Sequence, residues 1–182
     1  MNLTDLELID GCKRRSTLHE EYFFKKYYGF VMGIGRSYVK SEDLAQEITQ
    51  DTFLKFFDTV GKLNEETLLK PWLRRIAVNT AIDYYRKNRK FRFQEEIEGH
   101  SLLQINENAL DQLGYEEILK LLHQLPEDQS LVFNLYEVEG YSHKEIAEKL
   151  AITESSSRVY LTRAKQKLRQ LIHLNYTVYA GR

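Results

Sequence analysis

Proline and cysteine are almost absent from this 182-residue chain: Pro71 and Pro126 are its two prolines and Cys12 its single cysteine. One cysteine allows no internal disulfide, which fits a reducing, cytoplasmic setting. Nine glycines are dispersed rather than clustered, so neither a phosphate-cradling loop nor a nucleophile motif occurs. No run of about 18 apolar residues exists, so no transmembrane span is expected. The start, MNLTDLELIDGCKRR, lacks the apolar stretch of a secretory signal. Five histidines (His19, His100, His123, His143, His173) are scattered, none at zinc-ligand spacing with cysteine or carboxylates. A catalytic centre, a metal, a cofactor and a small-molecule substrate are therefore all expected to be missing. An excess of one charge sign is missing too, since the net charge is −1. That argues against a generic polyanion binder.

What is present is an ordinary globular composition, 42% apolar and 29% charged, long enough for one large or two small helical domains. The charges are unevenly spread. Between Lys70 and Arg92 eight basic residues face one acid, Asp83; between Arg158 and Arg169 five basic residues face none. The stretch QEEIEGHSLLQINENALDQLGYEE between them holds no Lys or Arg. Two separate basic patches point to two anion contacts, with protein binding elsewhere.

Periodicity predicts an all-α chain. A long aromatic-rich helix is expected over 16–39, then a second over 41–60 with Ser41 as its cap. A third is expected over about 67–90 after the joint GKLNEE. The pattern weakens and turns acidic over 93–112, a linker. Helices resume at about 114–124, 127–138, 143–150 and 154–173. The expected organisation is an N-terminal domain over 1–92, the linker, and a C-terminal domain over 113–182.

The segment EGYSHKEIAEKLAITESSSRVYLTRAKQKL carries two helix starts close together. Ser142 and Glu145 form a capping box. Ile146, Ala147 and Leu150 face inward, Ala151 and Ile152 make the joint, and Thr153 caps the next helix. There Ser157, Leu161, Ala164, Leu168 and Leu171 form one buried stripe. Ser155, Arg158, Val159, Thr162, Gln166 and Arg169 lie opposite, flanked by Arg163 and Lys165. A helix held by its neighbour and basic on its free side fits a helix-turn-helix that enters a DNA major groove. Ser155 and Ser156, at the helix start, can hold a phosphate.

Two further faces stand out. In KPWLRRIAVNTAIDYYRKNRK, residues Arg75, Asn79, Ile82, Arg86 and Arg89 share one helical face, where guanidiniums suit phosphates and the amide suits a base edge. Trp72 and Tyr84 are expected in the core and Tyr85 on the surface. In SEDLAQEITQDTFLKFF, residues Asp43, Gln46, Glu47 and Gln50 form a polar stripe, while Leu44, Ile48, Thr52 and Phe56 turn inward. An acidic stripe beside a DNA-binding helix would repel phosphate, so it suits a protein partner.

The order SEDLAQE, WLRRIAVNTAIDYYR, LPEDQSLVFNLYEVEGYSHKEIAEKLAIT and LTRAKQKL closely resembles bacterial sigma factors of the extracytoplasmic-function group, over roughly residues 5–173. The resemblance implies a promoter-specificity subunit of RNA polymerase with no enzymatic activity of its own. It implies that Asp43, Gln46, Glu47 and Gln50 dock on core polymerase. Arg75, Asn79, Arg86 and Lys87 would open and read the minus-10 element, and the loop 61–69 would capture a flipped base. Ser155, Ser156, Arg158, Thr162 and Arg163 would lie at the minus-35 element. The linker would thread through polymerase, and an anti-sigma factor, membrane-linked or soluble, would be a further partner.

Three residues depart from the family pattern. Ala151 stands where glycine is common, at a cost of about 1 kcal/mol if the joint is left-handed. Ser157 replaces a β-branched apolar residue and is expected to weaken the staple to Ile152. Tyr160 replaces a commonly basic residue. The alternative is a helix-turn-helix regulator whose N-terminal helices dimerise or sense a ligand. A helical interaction module without DNA contact is a third class, disfavoured by the two basic patches.

Overall fold

The computed structural model describes residues 3–63, 68–89 and 114–177. Among them are eight α-helices and no strand. None of these helices is long and apolar enough to cross a membrane. The chain divides into two compact units, residues 1–85 and 86–182. The proposed linker over 93–112 lies outside the described residues, as do positions 64–67 of the loop.

The N-terminal unit begins with α1 (Asp5–Lys13), a helix absent from the sequence expectation. Its signal was nevertheless present: Thr4 accepts from the Glu7 N–H while the Glu7 carboxylate accepts from the Thr4 N–H at 2.8 Å, a full capping box. The turn to α2 (Thr17–Tyr38) is tight. Arg15 takes a left-handed φ of 56°, and a Cβ on Gly11 would stand 2.0 Å from the His19 ring. Glycine is obligatory there. Ser16 precedes α2 but bonds His19 Nδ1 at 2.8 Å rather than capping the backbone.

Helix α3 (Glu42–Thr59) starts with the Ser41 hydroxyl accepting from the Leu44 N–H. It packs on α2 closely enough that a Cβ on Gly35 would meet the Ala45 carbonyl at 3.0 Å. Aromatic rings fill the space behind. Phe23 stacks on Phe56 with centroids 4.2 Å apart and meets Phe53 edge-on at 6.2 Å. Both Phe23 and Phe56 are wholly buried, each contributing about 1.5–3 kcal/mol by transfer alone. A 3-10 turn, Val60–Lys62, follows, and the Leu63 carbonyl accepts from Lys13 Nζ at 2.8 Å.

Helix α4 (Leu69–Arg89) buries Leu73, Ala77, Val78 and Ala81. Two expectations about it change. Tyr85 is buried and not surface, while Trp72 and Tyr84 are half-buried. Ile82 is also buried. The helical period leaves Ile82 only about 20° from Arg75, so it cannot by itself separate the buried residue from the exposed one.

In the C-terminal unit the helices are short: α5 (Tyr115–Leu122), α6 (Glu127–Phe133), α7 (His143–Leu150), and then the long α8 (Glu154–Thr177). A wider π-helical turn, Asn134–Val138, continues α6, which explains why the sequence pattern ran unbroken to 138. Leu121, Leu122 and Leu125 pack with Ala164, Leu168, Leu171 and Ile172 in one aliphatic cluster. Gly140, at φ 74°, turns the chain toward α7.

Candidate functional site

On α3 the side chains of Asp43, Gln46, Glu47 and Gln50 are all exposed. Among the described residues none of the four is tied into a hydrogen bond or salt bridge. Directly behind them Ile48, Thr52 and Phe56 are fully buried, and Leu44 is half-buried. The helix is therefore held by one face and offers the other, acidic and amide-bearing, to a partner. Leu54, 63% exposed, extends this face by one turn.

Helix α4 leaves Arg75 exposed, with Asn79 half-buried. Arg86 and Lys87 are exposed in its last turn, beyond the point at which the two units divide. Asn79 stands at the edge of the core, beside Thr80, whose hydroxyl donates to the Ile76 carbonyl at 2.9 Å. The helical backbone fixes where the Asn79 amide leaves α4, at the margin between core and solvent.

The α7–α8 pair forms as the caps require. Ser142 and Glu145 make a reciprocal box, and these bonds hold the Glu145 carboxyl below its usual range. Ala151 adopts φ 53°, ψ 48°, a left-handed C-cap on an L-residue, and the Ile152 N–H donates to the Ala147 carbonyl at 3.1 Å. Alanine accepts this strain of about 1 kcal/mol because the joint is closed by Thr153, which receives the Ser156 N–H at 3.0 Å. Ser157, Leu161, Ala164, Leu168 and Leu171 are all buried, as the stripe predicted.

Ser157 does more than leave a gap in the staple. Its hydroxyl lies 2.9 Å from His143 Nδ1, and the His143 ring stacks on Tyr136 at 4.6 Å. A polar tie thus takes the place of an apolar contact between the two helices. Burial, reinforced by the Arg158 charge, lowers the His143 pKa. Nothing at position 157 alone announced this; the partner lies 14 residues away.

On the free side of α8, Ser155, Arg158 and Thr162 are exposed, while Ser156 and Arg163 are half-buried. Arg158 is not idle: its guanidinium donates to Glu154 Oε2 at 3.0 Å, one turn back on the same helix. Such an exposed pair is worth little, so it orients the guanidinium at small cost. Exposed Thr162 donates its hydroxyl to the Arg158 carbonyl at 2.9 Å. Lys165, a flank residue, is engaged by Glu137 at 2.8 Å. Among the described residues no group of three or more His, Cys, Asp or Glu could hold a metal ion.

Comparison with known proteins gives the family. The Sigma-70 region 2 model matches residues 23–91 and the Sigma-70, region 4 model residues 115–168, together more than half of the chain. The ECF RNA polymerase sigma factor SigM of Bacillus subtilis (strain 168) is 26% identical, over 85% of this chain and 94% of its own length. The ECF RNA polymerase sigma-E factor of Haemophilus influenzae is 26% identical, over 93% of this chain and 96% of its own length. A co-crystal structure of the sigma factor RpoE with the anti-sigma factor NepR from Bartonella quintana matches at a TM-score of 0.48 and 21% identity, covering 84% and 95% of the two chains. The chain belongs to the sigma-70 family, in its extracytoplasmic-function group. Its function is that of an RNA polymerase sigma factor that directs promoter-specific initiation.

Proposed function

We propose a division of labour within this sigma factor. Asp43, Gln46, Glu47 and Gln50 dock on core RNA polymerase. Arg75, Asn79, Arg86 and Lys87 open and read the minus-10 element, the arginines and the lysine gripping backbone and Asn79 reading a base edge. Ser155 and Ser156 hold a phosphate at the start of α8. Arg158 and Thr162 reach base edges in the minus-35 major groove, and Arg163 grips backbone. The segment 93–112 serves as the linker between domains at 1–92 and 113–182. The protein works in the cytoplasm without catalysis of its own, under an anti-sigma partner.

One observation carries this proposal. The acidic stripe of α3 is exposed along its whole length and, among the described residues, unbonded, although α3 is packed on its opposite face. An acidic and amide-bearing row on a helix already packed by its other face is available to a partner protein. The experiment is transcription in vitro with purified core polymerase and a library of genomic promoters. The expected result is initiation at a subset that shares minus-10 and minus-35 sequences, dependent on this protein. If it binds DNA alone and shifts transcription by an already complete holoenzyme, the regulator alternative replaces the proposal.

A further inference from the structure

The docking and promoter faces lie on different helices, α3 and α4, and contacts run between the two at three levels. Phe56 meets Trp72 edge to face, centroids 5.4 Å apart. Lys55 Nζ donates to Thr80 Oγ1 and Asp83 Oδ2, each at 3.1 Å. Asp51 Oδ2 accepts from the Tyr84 hydroxyl at 2.9 Å. The partners advance along α4 as they retreat along α3, so the helices run antiparallel. The ring contact is apolar and tolerates rotation. The polar contacts do not, because a hydrogen bond weakens steeply off its axis.

Rolling α4 by one residue would turn every side chain by about 100°, taking Tyr84 off Asp51 and Asn79 off its face. The Lys55–Asp83 pair is about half exposed on both sides and resists such a roll weakly. The Tyr84 bond is partly buried and accepted by a carboxylate, which makes it the stronger tie. Burial and the Asp51 contact push the Tyr84 phenol up to about 12, with Glu47 adding to the effect. Tyr84 therefore stays a donor at any physiological pH. Asp51 also follows Gln50 directly and lies one turn beyond Glu47, so the acceptor belongs to the same turns of α3 as the docking stripe.

We infer that Asp51 and Tyr84 are positioning residues, whose hydrogen bond lets the docking helix set the roll of the helix that faces the minus-10 element. The inference rests on the division of roles proposed above. Tyr84 need touch neither polymerase nor DNA. It transmits orientation, so that α4 is already aimed when α3 is seated.

The test uses full-length Tyr84→Phe in holoenzyme, which deletes one hydroxyl and keeps the ring. Three quantities are measured: affinity for core polymerase, promoter opening from 2-aminopurine fluorescence in the minus-10 element, and the ranking of single-base minus-10 variants. Core affinity should stay within about two-fold, while opening falls about ten-fold, the loss expected for a hydrogen bond to a charged group. The spread between best and worst minus-10 variants should narrow. With Tyr84 intact, Asp51→Asn, which keeps a carbonyl acceptor, should retain most of the opening, whereas Asp51→Ala should lose it. Tyr84→Phe combined with Asp51→Ala should fall no further than either alone, as expected for one shared interaction. Unchanged opening would overturn the inference. So would an equal loss on every minus-10 variant, which would mean plain destabilisation, or a parallel loss of core affinity, which would move Tyr84 into the docking surface. The underlying division of roles fails separately, if Glu47→Lys keeps full core affinity.

Discussion

The two units of this chain solve the same problem differently. The N-terminal unit sets the nine-residue α1 beside helices of 22 and 18 residues and most of a third of 21, around stacked phenylalanines. The C-terminal unit uses helices of 8, 7 and 8 residues around aliphatic side chains, all against α8. Isolated helices shorter than about 12–15 residues are marginal in water. The C-terminal unit therefore depends on caps and on its one long helix, while the N-terminal unit depends on rings buried between long ones. The proposed contacts follow a similar division: the proposed docking stripe lies mid-helix on α3, and the proposed minus-35 residues lie at the start of α8, behind a cap.

The largest effect that would break this comparison lies on the mid-helix face. Glu47→Lys should cost about 2–5 kcal/mol in core-polymerase affinity if its partner cation becomes buried in the complex. Co-purification with core polymerase measures it, and retention at the wild-type level would show the stripe to be merely solvated. In the same unit Asn79→Ala should cost about 1–3 kcal/mol in promoter opening and leave docking intact. Equal transcription from all minus-10 variants in both proteins would remove Asn79 from sequence reading.

At the helix start, Arg158 and Arg163 should fail differently. Arg158→Ala should cost about 1–3 kcal/mol and relax preference at one base pair. Arg163→Ala should weaken all minus-35 sequences alike and lower the salt slope by about one. Holoenzyme binding to single-base minus-35 variants at several salt concentrations separates the two. A uniform loss from Arg158→Ala would place it on the backbone.

The smallest effects concern the joint itself. Ala151→Gly should stabilise the C-terminal unit by less than about 1 kcal/mol, because the left-handed strain relieved is partly offset by glycine's freer unfolded chain. Denaturant unfolding reads it, and a loss of stability would mean that the Ala151 methyl contributes packing. His143 adds a pH term. Its folded pKa is lowered, so the unfolded chain takes up the proton first. Its contribution is complete above the unfolded pKa of about 6.5 and is lost as pH falls through the folded value. Thermal midpoints at pH 7.5 and below 6 should diverge in the wild type and converge in His143→Gln. No change in that difference would assign the pH dependence to other groups.

Much of the architecture could be read in advance because its causes are local. Ser41, Ser142 with Glu145, and Thr153 each act within three residues of themselves, so their helices begin where the caps stand. The buried stripe of α8 and the exposed stripe of α3 follow from a 3.6-residue period. Even the overlooked α1 had its box, Thr4 and Glu7, in plain sequence. The Glu154–Arg158 pair was likewise legible as an i, i+4 contact.

What the sequence by itself determined, then, is helix content, helix starts, which faces are apolar, and the ordered motifs that mark a sigma factor. All of these depend on neighbours within a few positions. Only the tertiary structure decided that Tyr85 and Ile82 are core, that Ser157 is answered by His143, and that Tyr84 reaches Asp51 across 33 residues. Those outcomes depend on how far each helix is rolled against the next. A roll is fixed by the sum of contacts from several elements at once, and no window of a single helix contains that sum.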